Sequence, residues 1–365
     1  MARVAIWGAG AIGGFVAARL TERGHEVTLV ARPDQVEIIN RDGLRLSAVD
    51  GTSRSVRVRA ATAVESEPEV ILLTVKTQDL RAACEQVREQ TSHAPVVAMQ
   101  NGIEPDQIAA GVLGRDRVLG ASVMCATNSL RPGEIEVFFE GWIILGEPFT
   151  SIGPRTEWIR GILDGVAPTY TAPSMRDARW TKLISNLNNG LAAATGLTMP
   201  ELAKTKQGRE LSVRLMKEGY LVARACGARL DRHYYGHGRR GGRARGDSNA
   251  SIIALLQSVV TSLVVVAPDA IGARVLALAG TTRFTKLPIH GSTWQSLQRG
   301  KPTEIDYLNG AVARLGAEHG VPTPWNTRVV QAVREVERTR RSVPLAELGA
   351  DAGVLERAPS RGGAL

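Results

Sequence analysis

Three glycines, Gly8, Gly10 and Gly13, stand in the run G-A-G-A-I-G between the strand-like Val4–Trp7 and the helix-like stretch Ala11–Arg23. A dinucleotide site needs that order: the first glycine permits a tight turn, the second lets the backbone approach a pyrophosphate, and the third lets helix and strand pack closely. The loop from Gly8 through Ala9, Gly10, Ala11 and Ile12 to Gly13 is the expected phosphate cradle. A second strand over Glu26–Ala31 ends at Arg32, where an enzyme specific for NAD usually carries an acidic residue for the ribose 2′-hydroxyl. An arginine there suits a 2′-phosphate, so NADP(H) is expected rather than NAD(H), with Asp34 close by.

Lys76 and Asn101 each follow an apolar run, ILLTV and PVVAM, at the carboxyl end of a strand, where sheets of this kind bind ligands. Each fits a simple turn residue as well as a ligand contact. Farther on, WTKLISNLNNGLAAATG from Trp180 to Gly196 puts Lys182, Asn186 and Asn189 on one helical face beside a stripe of Leu183, Leu187 and Leu191. Such a face is either a solvated surface or a polar site, and asparagines inside a helix cost stability unless their amides find partners. Ser292 is followed twelve positions later by Glu304, which reads as a first-turn carboxylate of a helix or as part of a site.

These residues need a scaffold, and the pattern supplies two. Val4–Trp7, Val27–Ala31, Val70–Val75, Val96–Met99 and Val118–Met124 alternate with helical stretches, which predicts a parallel sheet wound on both faces by helices. Glu134–Gly146, after the Arg131-Pro132-Gly133 turn, predicts two shorter strands closing the edge of that sheet. From Arg176 the pattern becomes helical: Trp180–Ala194, Glu201–Ala225, Glu304–Glu318 and Asn326–Thr339. The fold class is therefore α/β, an N-terminal Rossmann domain followed by a mostly α-helical C-terminal domain. Residues 1–170 form the expected nucleotide domain and 171–341 the helical domain, with an insertion near 232–290 and a disordered tail over 342–365. The apolar run Ile252–Ala267 ends at Pro268, too short for a membrane span, and reads as a buried helix.

The 365 residues carry a net charge of +9, which favours acidic ligands, and 44% are hydrophobic, as in an ordinary globular protein. Seven of the 45 basic residues are lysines, so arginine is the default surface cation. Three scattered cysteines without a CxxC pair exclude a disulfide framework and a structural zinc site, and no metal is expected. The start MARVAIWGAG lacks a signal peptide, so a cytoplasmic protein is expected. The glycine- and arginine-rich Arg232–Arg245 reads as a mobile loop, and only Tyr234 and Tyr235 accompany its arginines, so no specific nucleic acid is expected.

Taken together, GAGAIGG at Gly8–Gly14, Val75–Lys76, QNG at Gln100–Gly102, KLxxN at Lys182–Asn186, TEIDYLNG ending at Gly310 and HGVPTPWN at His319–Asn326 resemble the ketopantoate reductase (2-dehydropantoate 2-reductase) family. The resemblance covers most of Met1–Thr339. It implies an active site between a Rossmann and a helical domain, NADPH as cofactor, a small 2-oxo acid as substrate and no membrane, and it leaves a homodimer open. Position by position it makes Lys182 the general acid and Glu304 the carboxylate that helps hold that lysine, with Glu304 also near cofactor and substrate. Asn186, Asn189 and Ser292 become substrate contacts, Asn101 stands at the cofactor–substrate junction, Lys76 beside the cofactor and Arg32 at the 2′-phosphate. Gly190 and Ser296 stand where many relatives have asparagine and aspartate. The implied reaction is reduction of 2-dehydropantoate to (R)-pantoate, with another small 2-oxo acid as the alternative and noncatalytic binding of NADP(H) or nucleic acid as the lesser one.

Overall fold

The computed structural model describes residues 1–230, 260–279 and 291–349, and these form two compact units, residues 1–183 with 228–230 and residues 184–227, 260–279 and 291–349. The first unit contains β1 (Arg3–Trp7), α1 (Ala11–Glu22), β2 (Glu26–Val30), α2 (Pro33–Asp42), β3 (Leu44–Ala48), β4 (Ser53–Val56), β5 (Arg59–Ala61) and β6 (Val70–Leu73). It continues with α3 (Leu80–Gln90), β7 (Val96–Ala98), α4 (Pro105–Leu113), β8 (Val118–Val123), β9 (Ala126–Arg131), β10 (Glu134–Phe139), β11 (Ile143–Gly146), α5 (Pro154–Leu163) and β12 (Thr169–Thr171).

Eight strands form the main sheet in the order β12-β11-β8-β7-β6-β1-β2-β5. β5, β2, β1, β6, β7 and β8 run parallel, so their carboxyl ends share one edge. Alternation along each strand feeds two faces. Val4, Ile6, Val70 and Leu72 pack on one side with Phe15, Leu20, Ile159 and Leu163 of α1 and α5. Ala5, Trp7, Ile71 and Leu73 pack on the other with Leu80, Val87 and Ala109 of α3 and α4. Helices on both faces of a parallel sheet are the doubly wound arrangement that the alternation predicted.

The expectation that Glu134–Gly146 closes the sheet's edge is corrected. β11 lies inside the main sheet, antiparallel to β8 and parallel to β12, and Ile143, Ile144 and Leu145 are buried because both faces and both edges are covered. β10 belongs to a second sheet, β4-β3-β10-β9, which packs on α1. Gly14 makes that packing close: a Cβ there would lie 2.2 Å from Cδ1 of Ile135.

The helix α6 (Met175–Thr195) begins in the first unit and continues into the second, which adds α7 (Met199–Lys204), α8 (Lys206–Ala225), α9 (Asp269–Ala279), α10 (Ser292–Gln298), α11 (Asn309–Glu318), α12 (Pro324–Thr339) and α13 (Leu345–Gly349). The expected single helix over Glu201–Ala225 is two, because Thr205 caps α8 by accepting from the Gly208 amide at 3.0 Å. Of the apolar run Ile252–Ala267, residues 260–267 are described; Val264 and Val265 are buried while Leu263 and Val266 are exposed, so this part is two-faced rather than buried. Among the described residues no helix is long and apolar enough to cross a membrane. Arg232–Arg245 lies outside the described residues. The tail is packed as far as Gly349: Val343 N–H donates to Ala194 O at 2.8 Å, and Leu348 is buried.

The end of the HGVPTPWN motif is structural. Asn326 is fully buried; its amide donates to Leu215 O (3.2 Å) and Glu218 Oε2 (2.7 Å), and its side-chain oxygen accepts from Asn309 Nδ2 at 2.9 Å. Glu218 also accepts the backbone N–H groups of Trp325 (3.0 Å) and Asn326 (2.9 Å) in the first turn of α12. Burial raises the Glu218 carboxyl above the usual carboxylate range, against the opposing pull of those donors. A raised folded-state value means that the folded form holds the proton more tightly. The contribution to stability is then fully present below the unfolded value of about 4.3 and is lost as pH rises through the folded value. Relative to Glu218→Gln, which does not titrate, the wild type is expected to lose thermal stability as pH rises from about 4 toward 7. Melting curves over that range check it, and parallel curves would contradict it.

Candidate active site

The glycine loop sits at the carboxyl edge of β1. Gly8 has φ +111°, and its N–H donates to Val30 O at 2.9 Å, so the chain turns sharply as it leaves the strand. A Cβ at Gly13 would lie 1.8 Å from Gly8 O, which leaves only glycine at that position in the first turn of α1. Around Gly10 nothing lies within 4 Å of where a Cβ would stand. That open ground lies before the amino terminus of a twelve-residue helix capped by no side chain, with Ala11 and Ile12 half-buried and Ala9 buried beside it. First-turn amides and the positive end of the helix dipole suit a pyrophosphate there, so the residues fit a dinucleotide.

The sequence reading missed what holds this loop. Thr74, directly after β6, donates from Oγ1 to Trp7 O and Gly8 O, both at 2.9 Å. Lys76 follows at the start of a 3₁₀ turn, Thr77–Asp79, and Thr77 Oγ1 donates to Asn101 O at 3.2 Å. Buried Gln100 donates from Nε2 to Leu73 O (2.9 Å) and Val75 O (3.1 Å), so the segments carrying Lys76 and Asn101 are tied together at one edge. Arg32 lies at the same edge beyond β2, with its side chain 65% exposed and its Nε 3.8 Å from Asp34 Oδ1.

Lys182 reaches this edge as well. Its side chain is buried, and Nζ donates to Val123 O, the last carbonyl of β8, at 2.5 Å. Three residues earlier on α6, Arg179 is buried against Asp106 of α4, with Nε to Oδ2 at 2.6 Å and Nη2 to Oδ1 at 2.5 Å. Arg179 also donates to Gln100 O at 2.8 Å and Ala98 O at 2.9 Å. Gly120 makes room for the pair, since a Cβ there would lie 2.7 Å from Asp106 Oδ1. Neighbouring Cys125 donates from its thiol to Glu140 O at 2.6 Å, and burial pushes that thiol up to about 12, which makes it a poor nucleophile.

In the second unit, Leu183 aside, the stripe of α6 is as expected: Leu187 and Leu191 are fully buried while Asn186 and Asn189 are half-buried. A Cβ at Gly291, just before Ser292, would lie 2.7 Å from Cγ of Asn189, so the Asn189 side chain and the start of α10 are brought together. Glu304 is buried, but not in an α-helix: it precedes a 3₁₀ turn, Ile305–Tyr307, and α11 starts only at Asn309. Packing accounts for the glycine at 190, because a Cβ there would lie 2.6 Å from Asn309 Oδ1 and 3.0 Å from Ile305 Cδ1. Ser296 turns its hydroxyl to Ser292 O at 3.2 Å.

Comparison with known proteins gives the family. The family model "Ketopantoate reductase PanE/ApbA" matches residues 4–148, and the model of its C-terminal part matches residues 174–337. The chain belongs to the ketopantoate reductase family. It is therefore an oxidoreductase of a family that uses NADPH, which removes the noncatalytic alternative. A curated relative, 2-dehydropantoate 2-reductase of Mesorhizobium japonicum, is 28% identical, covering 92% of this chain and 97% of its own length. The crystal structure of a PanE/ApbA family ketopantoate reductase from Ralstonia eutropha JMP134 matches with TM-score 0.72 at 28% identity, over 92% of this chain and 99% of that one. A ternary structure of D-mandelate dehydrogenase with NADH and anilino(oxo)acetate shares the fold, with TM-score 0.71 at 21% identity over 92% of this chain and 98% of that one.

Proposed function

We propose that the chain reduces 2-dehydropantoate to (R)-pantoate, the reducing step toward pantothenate, using NADPH and a proton from Lys182. The observation that carries this reading is the buried Lys182 side chain with its Nζ at the carboxyl edge of the sheet, the same edge as the Gly8–Gly13 loop, Lys76 and Asn101. The Gly8–Gly13 loop would hold NADPH, which when bound would supply the hydride for the carbonyl carbon. Negative charge then grows on the ketone oxygen, and Lys182 is assigned to stabilise it and deliver the proton. Glu304, buried in the second unit, is assigned as the second catalytic group. Asn186, Asn189 and Ser292 are assigned to the substrate, whose carboxylate and hydroxyl call for amide and hydroxyl partners. Asn101 is assigned to the cofactor–substrate junction, Lys76 to the cofactor, and Arg32 to its 2′-phosphate. Three free cysteines and an NADPH-consuming biosynthetic step fit the cytoplasm.

Chiral analysis of the product formed from 2-dehydropantoate and NADPH tests the reading. (R)-Pantoate is expected, whereas a racemate or no product would overturn it. Reduction of another small 2-oxo acid is the second reading. It is favoured by Ser296, which turns its hydroxyl to Ser292 O where many relatives have an aspartate.

Arg32 gives a separate expectation. A hydrogen bond between charged partners contributes about 1.5–3 kcal/mol, so Arg32→Ala is expected to raise the Kd for NADPH roughly tenfold or more. The Kd for NADH should stay within about twofold, because only the 2′-phosphate distinguishes the two cofactors. Fluorescence titration with both checks this, and equal losses would remove Arg32 from that role.

A further inference from the structure

The pair Arg179–Asp106 lies in the first unit behind the edge that carries the proposed chemistry, and neither residue belongs to the motifs that define the family resemblance. Arg179 spends its guanidinium on five acceptors in three segments: both oxygens of Asp106 in the first turn of α4, Ala98 O at the end of β7, and Gln100 O with Gly102 O (3.5 Å) in the loop that carries Asn101. Gln100 continues the chain of contacts to Leu73 O and Val75 O, directly before Lys76. On the other side Arg179 is three residues, less than one helical turn, from Lys182, whose Nζ meets Val123 O. A planar fork satisfied in this way fixes direction as well as distance, which a lysine or a water-filled gap would not do.

We infer that Arg179, held by Asp106, is a positioning residue for the reaction: it sets the height and rotation of α6 so that the Lys182 ammonium stands at the carboxyl end of β8, in register with the Asn101 and Lys76 segments. This rests on the assignment of Lys182 as proton donor. The alternative is that the pair only holds the fold together. The two differ in what happens when stability and position are separated.

The experiment uses the full chain and four proteins: wild type, Arg179→Lys, the double variant Arg179→Met with Asp106→Leu, and Arg155→Met as a control. The double variant removes both buried charges at once and leaves neither unpaired, so it stays folded where a single truncation can fail. Arg155 forms a comparable bidentate pair with Glu147 in the same unit but touches none of the segments above. Two readouts are taken beside melting temperature: kcat and KM for the oxo acid, and the rate of reductive methylation of Lys182 followed by mass spectrometry.

Misplacing a reacting group by about 1 Å costs up to roughly a hundredfold in rate. Folded Arg179 variants are therefore expected to lose about 10- to 100-fold in kcat at nearly constant NADPH affinity. Lys182, now buried, should be methylated several times faster in them, while Arg155→Met lowers the melting temperature and changes neither readout. A folded Arg179 variant with wild-type kcat, or with unchanged methylation of Lys182, overturns the inference. If the wild type reduces no 2-oxo acid, the proposed function fails by itself, and the methylation rates alone decide whether Arg179 positions the lysine.

Discussion

Lys182→Ala is expected to lower kcat by about 10²–10⁴-fold while leaving the Kd for NADPH nearly unchanged. The reason is that the ammonium acts on charge that exists only as the ketone is reduced. In the ground state the carbonyl oxygen is nearly neutral, and the cofactor is assigned to the glycine loop and the edge residues around it rather than to Lys182. A charged donor in a water-poor site stabilises the developing alkoxide far more than it stabilises the bound ketone. Lys182 meets the physical conditions for this, being buried with its Nζ donating to the Val123 carbonyl. Steady-state kinetics with a cofactor titration separate the outcomes. An unchanged kcat would remove Lys182 as the acid, and a parallel loss of NADPH binding would turn it into a cofactor contact.

The largest effect on stability is expected at Arg179. Truncation to alanine leaves the Asp106 carboxylate buried without its partner and deprives the carbonyls of Ala98 and Gln100 of a donor. Breaking a buried pair by removing one member typically costs about 3–5 kcal/mol. For a unit of this size each kcal/mol lowers the melting temperature by about 2–4 °C, so Arg179→Ala should melt roughly 6–20 °C below the wild type. A drop of less than about 2 °C would mean that water or a rearranged α4 satisfies Asp106, and that the pair contributes little to the fold.

The glycine loop was legible because its chemistry is local: strand, three glycines and helix lie within Arg3–Glu22, and each glycine answers to one steric requirement. The parallel strands were legible for a similar reason, since buried strands leave continuous apolar runs such as Val70–Leu73. The second sheet was not. Leu44–Ala48 and Ser53–Val56 are short and half polar, and nothing local says that Leu44 and Leu46 turn inward toward α1 while Arg45 and Arg54 face water.

Within the candidate site, the motif residues stand out in the sequence but their supports do not. Arg179 was invisible because an arginine buried on three carbonyls and a carboxylate looks, in an arginine-rich sequence, like any surface cation. Its partner Asp106 looks like an ordinary first-turn acid favoured by the helix dipole. Thr74 reads as one more β-branched strand residue until its hydroxyl is seen on Trp7 O and Gly8 O. Conversely, Asn309 and Asn326, conspicuous in the motifs, are scaffold: they join α6, α8, α11 and α12 through buried amides. These long-range pairings depend on which surfaces meet, and spacing along the chain does not encode that.

The most direct test of the account is the rate of NADPH oxidation, followed at 340 nm, with 2-dehydropantoate against a panel of 2-oxo acids, repeated with NADH for the best substrate. The account predicts the highest kcat/KM for 2-dehydropantoate and a strong preference for NADPH. A higher kcat/KM for another 2-oxo acid, or equal use of both cofactors, would contradict it.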